Sequence, residues 1–143
     1  MNISNLDKIE KSRAGAQKAL EARTGGTDFC PLRYTLDQIG DKWSMLTVLN
    51  LGSADSLRFN ELRKRIGGVS QRMLTVSLRS LEADGMVSRT VYPEVPPRVE
   101  YQLTELGHGL LGAVLELSHW ADGHTPEILA ARREFEQSES LAG

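Results

Sequence analysis

Two groups of residues in this chain carry side chains able to do chemistry. Gln71, Arg72, Thr75 and Arg79, with Val76 among them, are spaced so that on a helix they fall on one face. Amide, hydroxyl and guanidinium groups gathered in this way suit phosphate oxygens and the edges of bases. The other candidate is Cys30, the single cysteine of the chain. It precedes Pro31 at what reads as a helix N-terminus, where the partial positive charge of the helix favours a thiolate, and Arg33 is near enough in sequence to add to it. A lone thiol could be oxidised only to a bridge between the Cys30 residues of two subunits, to a mixed disulfide with a small thiol, or to an adduct. The competing reading of Cys30 is a small, buried, apolar residue. An enzyme would need a nucleophile with its base, a metal cluster or a phosphate loop, and the sequence holds no such constellation. His108, His119 and His124 are scattered and read as surface or interface residues, so no metal or cofactor is implied.

The elements that must position the first group are legible. Residues 69–86 read as one amphipathic helix: Ser70 is a natural N-cap, Val69 and Leu74 are spaced for a hydrophobic staple across it, Leu74, Leu78 and Leu81 form the buried stripe, and Gly85 is the stop. Before it, Phe59, Leu62 and Ile66 line one side of a shorter helix with Arg63, Lys64 and Arg65 outside, and Gly67-Gly68 permits a tight turn. Helix, glycine turn and a Ser-capped helix with a cationic face is the pattern of a helix-turn-helix, whose second helix enters the major groove. The alternative is an αα-corner whose arginines are merely solvated.

At 143 residues, 40% hydrophobic and 25% charged, the chain is about one soluble domain. Charges among residues 7–13 leave no apolar stretch for a signal peptide, and no run reaches membrane-spanning length, so a cytoplasmic protein is expected. The net charge of −2 is unevenly spread: residues 58–98 carry +4, residues 99–143 carry −6, and residues 1–57 are neutral. The cationic part contains the polar helix face, as phosphate binding requires.

In chain order, residues 1–28 form an N-terminal extension with a thin apolar stripe (Leu6, Ile9, Ala16, Ala19, Leu20) closed by Gly25-Gly26, suited to a helix that docks on a partner subunit or to a frayed tail. Pro31 opens a helix with Leu32, Leu36 and Ile39 behind it, ended by Gly40. Asp41 can cap the next, in which Trp43, Met45, Leu46, Val48 and Leu49 suggest burial on most sides. Leu57-Arg58 reads as a short strand, which sets Arg58 at the start of the next helix to meet a backbone phosphate. After Gly85 the period becomes two: Val87, Arg89 and Val91 alternate with Ser88, Thr90 and Tyr92, and Val99, Tyr101 and Leu103 with Arg98, Glu100 and Gln102, a β-hairpin around a loop with Pro93, Pro96 and Pro97. A hairpin directly after such a helix is a wing, with Arg98 at its edge to reach an adjacent groove or backbone. Thr104 caps a long helix whose stripe of Leu106, Leu110, Ala113, Val114, Leu117 and Trp120, widened by Leu111 and Leu115, is broader than one small domain needs and suggests a subunit interface. Pro126 is expected to open a last helix, making residues 125–143 a C-terminal helical tail to a domain of residues 29–124.

The stretches CPLRYTLDQIGDKW, RFNELRKRIGGVSQRMLTVSLRSLEADGMVSR, YPEVPPRVEYQLTELG and LLGAVLELSHW resemble, in order and spacing, the signatures of the HxlR-type winged helix-turn-helix regulators, relatives of the MarR group. The likeness covers roughly residues 30–121. Asp41 stands where that family usually has a second glycine, and Gly67 where a proline commonly precedes the turn. The resemblance implies a mainly α fold with a small β-hairpin wing and a homodimer that binds double-stranded DNA. Arg58, Lys64, Ser70, Gln71, Arg72, Thr75, Arg79 and Arg98 are then the DNA-binding candidates. Some members resemble thiol-based sensors of quinones, aldehydes or oxidants with a cysteine at the position of Cys30. A small non-covalent ligand is the other effector class, and a winged helix used only for protein contacts is the competing function.

Overall fold

A computed structural model describes residues 3–21 and 30–143. The chain divides into two compact units, Met1–Lys42 and Trp43–Gly143. In the first, α1 (Ile3–Glu21) has no buried residue, and Ile3, Leu6, Ile9 and Leu20 are all exposed. The expected stop at Gly25-Gly26 lies outside the described residues. Helix α2 (Pro31–Ile39) starts on its proline and ends where the Gly40 N–H donates to the Leu36 carbonyl, 2.9 Å, with Ile39 buried.

The second unit opens one residue into α3 (Lys42–Gly52), in which no residue from Trp43 to Gly52 is exposed. Its buried Thr47 hydroxyl donates to the Trp43 carbonyl at 2.7 Å, so the core holds no orphaned hydroxyl there. A two-residue strand β1 (Leu57–Arg58) runs straight into α4 (Phe59–Ile66), whose free Arg58 N–H is capped by the Glu61 carboxylate at 3.0 Å. Gly67 and Gly68, each at φ 72°, make the turn, a conformation L side chains rarely hold.

Helix α5 (Gln71–Ala83) is shorter at both ends than the 69–86 reading because the caps lie outside it. Ser70 Oγ accepts the Met73 N–H at 3.1 Å, and the buried Val69 and Leu74 stand at staple spacing. At the other end Gly85 at φ 76° and Met86 donate to the Glu82 and Leu81 carbonyls, 3.0 and 2.9 Å, closing a Schellman motif. Leu62, Leu74 and Leu81 are wholly buried, and Leu51 and Leu78 nearly so, each worth about 1.5–3 kcal/mol against exposure.

Strands β2 (Val87–Tyr92) and β3 (Arg98–Leu103) form the hairpin at the expected limits, Val87 opposite Leu103 and Tyr92 opposite Arg98. The sheet has a third strand, because β1 pairs on the outer side of β3, Leu57 opposite Tyr101 and Arg58 opposite Glu100. Burial does not follow the alternation: Leu57, Val87 and Leu103 anchor the base in the core, whereas Val91 is 55% exposed. The hairpin reaches out past the core that its inner residues enter.

Beyond it, α6 (Glu105–Ala142) is one helix of 38 residues, so the separate helix expected to open at Pro126 does not exist. Proline withdraws one backbone donor from the turn before it. There, the His124 ring Nδ1 lies 2.7 Å from the Trp120 carbonyl and Thr125 Oγ1 donates to Ala121 at 2.6 Å, side-chain bonds that hold the turn together. The His124 ring also stacks on Trp120, 4.8 Å between centroids and 12° from parallel.

Candidate nucleic-acid interface

On α5 the two faces separate cleanly. Leu74, Ser77, Leu78 and Leu81 are buried, while Gln71, Arg72, Val76 and Arg79 are exposed on the opposite side. The side chains of Gln71, Arg72 and Arg79 make no hydrogen bond or ion pair among the described residues, so their donors are available to an outside acceptor. Thr75 is half-buried and its hydroxyl proton is committed to the Gln71 carbonyl, 2.8 Å, so that hydroxyl can accept from an outside donor but has no proton left to give.

The turn before α5 adds a second part. Lys64 and Ser70 border one hollow together with Asn60, Arg63, Gly67, Gly68 and Val69. Of the three consecutive cations only Lys64 lacks a partner among the described residues. Arg63 Nε instead donates to the Val69 carbonyl, 3.2 Å, bracing the glycine turn, and Arg65 reaches Ser53 Oγ at 3.3 Å. Periodicity assigned all three to the outside; it carried no information about which one the turn would use. Arg58 lies at the head of α4, exposed and next to the wing through its pairing with Glu100.

Arg98 is placed differently from the rest. Its guanidinium lies 4.0 Å from the centroid of the Tyr92 ring, 3.4 Å from Glu94 and 3.7 Å from Glu100, with the side chain 31% exposed. The contact to Glu100 is too long for a hydrogen bond, and Arg98 Nε is buried without one. Two carboxylates and an aromatic face therefore hold Arg98 as a brace across the hairpin mouth, and its charge is largely answered within the wing.

The residues expected at a subunit interface also divide. Leu106, Leu117 and Trp120 are exposed on α6, 58%, 54% and 53%, and Leu110 is half-buried. Val114 is already buried in the single chain, and Leu111 packs its δ-methyls over Gly52, so neither belongs to an outward face. Ile128 and Phe135, exposed further along the helix, fall on the side of Leu106 and Leu117 and extend that face, whereas the exposed Leu115 and Leu129 fall on other sides of it. Cys30 is partly buried at the N-cap of α2, its carbonyl accepting the Tyr34 N–H at 3.0 Å and its side chain making no cap bond. Among the described residues no group of His, Cys, Asp or Glu side chains could hold a metal ion, and no helix is long and apolar enough to cross a membrane.

Known proteins share this arrangement. The sequence profile of the HxlR-like helix-turn-helix family matches residues 38–128. The helix-turn-helix-type transcriptional regulator YtfH of Escherichia coli is 44% identical over 105 residues, 73% of this chain and 82% of its own. Among solved structures, the ytfH regulator from Salmonella typhimurium is 38% identical with a TM-score of 0.68, over 78% of this chain and 99% of that one. The redox regulator HypR, solved in reduced and oxidised forms, is similar as well; the reduced form is 43% identical, TM-score 0.65, over 70% of this chain and 98% of its own.

Proposed function

Because the chain belongs to the HxlR-like helix-turn-helix family, and so is a transcriptional regulator of helix-turn-helix type, we propose that it binds a specific duplex DNA sequence as a homodimer in the cytoplasm. The observation that carries the proposal is the outward face of α5, where the Gln71, Arg72 and Arg79 side chains have no partner among the described residues, on a helix capped at both ends. A rigid helix with two free guanidiniums suits base edges in the major groove, where arginine pairs bidentately with guanine. Lys64, Ser70 and Arg58 then meet phosphates, with Thr75 offering its hydroxyl oxygen to the groove as an acceptor. The exposed apolar side chains of α6, Leu106, Leu117 and Trp120 foremost, supply the surface that a second copy would cover. Two-fold symmetry would set the paired recognition helices about 34 Å apart on one face of a pseudo-palindrome.

The signal that regulates binding is proposed to act at Cys30. Its place at the head of α2 without a side-chain cap bond supports this, as does the likeness to HypR, a redox regulator. A gel shift tests both levels. The protein is expected to retard a fragment of its own upstream DNA in the presence of excess shuffled duplex, and diamide is expected to abolish that shift for wild type but not for Cys30→Ser. Equal retardation of both duplexes would overturn sequence-specific binding in favour of a protein-docking winged helix or non-specific contact. Equal behaviour of wild type and Cys30→Ser after diamide would remove the thiol and leave a non-covalent ligand as the effector.

A further inference from the structure

Between the recognition helix and the wing lies a cleft of about 360 Å³ bordered by Thr75, Leu78, Arg79, Glu82, Arg89 and Tyr101. Its polar chemistry comes from both elements. Arg79 and Glu82 stand on successive turns of α5. Arg89 stands on β2 opposite Tyr101 of β3, so the two share one face of the sheet. That face also carries Val87, which is buried in the core, whereas Arg89 lies two residues further out, where the core has ended. Arg89 therefore looks across at the last turns of α5 rather than away from the protein. There it meets Glu82 at 3.4 Å, a single-point contact with the two side chains 50% and 38% exposed.

We propose that this cleft seats a DNA backbone phosphate, held by Arg79 and Arg89, and that Glu82 occupies Arg89 only until the phosphate arrives. The inference rests on the DNA-binding reading and extends it to a residue which that reading did not include. The contrast with Arg98 carries it. Arg98 is held by Glu94, Glu100 and the Tyr92 ring and is mostly covered, whereas Arg89 has a single carboxylate and half its side chain in solvent. A lone exposed pair of that kind is weak and easily exchanged. A phosphate arriving between two guanidiniums replaces one carboxylate by a bidentate acceptor and leaves Glu82 to solvent. The cationic group of the wing that binds DNA is thus Arg89, and Arg98 keeps the hairpin in shape.

The test is fluorescence anisotropy on the full chain, with labelled upstream DNA and a shuffled duplex of equal length, over a sodium chloride series. Arg89→Gln is expected to weaken binding to both duplexes by the same factor, on the order of tenfold, and to reduce the slope of log affinity against log salt by about 0.9, the loss of one phosphate contact. Glu82→Gln, which frees Arg89, is expected to tighten both complexes several-fold, and serves if Arg89→Gln fails to fold. Wild-type affinity and slope in Arg89→Gln would overturn the proposal, and so would wild-type affinity in Glu82→Gln. The wild-type comparison of the two duplexes reports separately on the DNA-binding reading: equal affinity for both would fail that reading, whatever Arg89 does.

Discussion

Replacing Arg72 by alanine is expected to convert the protein from a specific to a non-specific DNA binder, and replacing Arg79 to weaken specific and non-specific binding together. Each guanidinium lies on the exposed side of α5 with no partner among the described residues, so truncation breaks no hydrogen bond or ion pair there in the free protein. In the complex, a side chain bidentate to a base supplies about 1–3 kcal/mol of discrimination. For Arg72→Ala, affinity for the upstream sequence should fall roughly ten- to a hundredfold while affinity for shuffled duplex changes far less; for Arg79→Ala both should fall. Arg79 also lines the phosphate cleft, so its variant should lose some salt dependence and Arg72→Ala should not. Competition titrations at two salt concentrations would distinguish these outcomes. Operator binding at wild-type affinity in both variants would mean that another surface reads the DNA.

The largest stability effect is expected at Gly107, which nothing in the charge or hydrophobic pattern marks out. A Cβ at this position would run into the Met86 carbonyl oxygen and lie 3.1 Å from Leu103 Cδ2. The same carbonyl accepts the Thr104 N–H at 3.0 Å, while Thr104 Oγ1 donates to Gly85 at 2.6 Å and accepts from the Gly107 N–H at 3.0 Å. The first turn of α6 is in this way hung on the last turn of α5 and the foot of the wing. Because the obstructing atom is backbone, Gly107→Ala must push these elements apart, at a cost of about 3 kcal/mol. That corresponds to a fall in Tm of roughly 10 °C at fixed protein concentration. Gly112 is the control: it lies on the same helix off the Leu106–Leu117 face, a methyl group there would meet nothing within 4 Å, and Gly112→Ala should gain about 0.5–1 kcal/mol from helix propensity. Thermal unfolding in which the two variants behave alike would refute the account of this junction.

The helix-turn-helix and the hairpin were readable because each is marked by local chemistry. Ser70 and Gly85 bound α5 through hydrogen bonds within a few residues, the two positive-φ glycines make the turn, and the leucine spacing decides which face is inside. What the sequence did not disclose depends on neighbours that are distant or on competing carboxylates. Arg89 alternates with valines and so reads as part of an inner face, yet only the depth of the core shows that it stands beyond the core's edge. Arg98 is answered by Glu94 and Glu100, whose approach depends on how the hairpin closes. Leu111 and Val114 belong to the same stripe as Leu117, and the split between inward and outward arises where Gly52 lets Leu111 settle over α3. Pro126 carries a general signal for a helix start, which the carbonyl contacts of His124 and Thr125 override.

The central claim is that α5 of each of two protomers reads the major groove. Dimethyl sulfate probing of the upstream DNA tests it most directly, because the reagent methylates guanine N7, the acceptor that an arginine bidentate to guanine would cover. Two clusters of protected guanines are expected one helical turn apart, about 10 base pairs, with the protection lost at both clusters in Arg72→Ala. A single cluster, no protection, or protection unchanged in Arg72→Ala would contradict the claim.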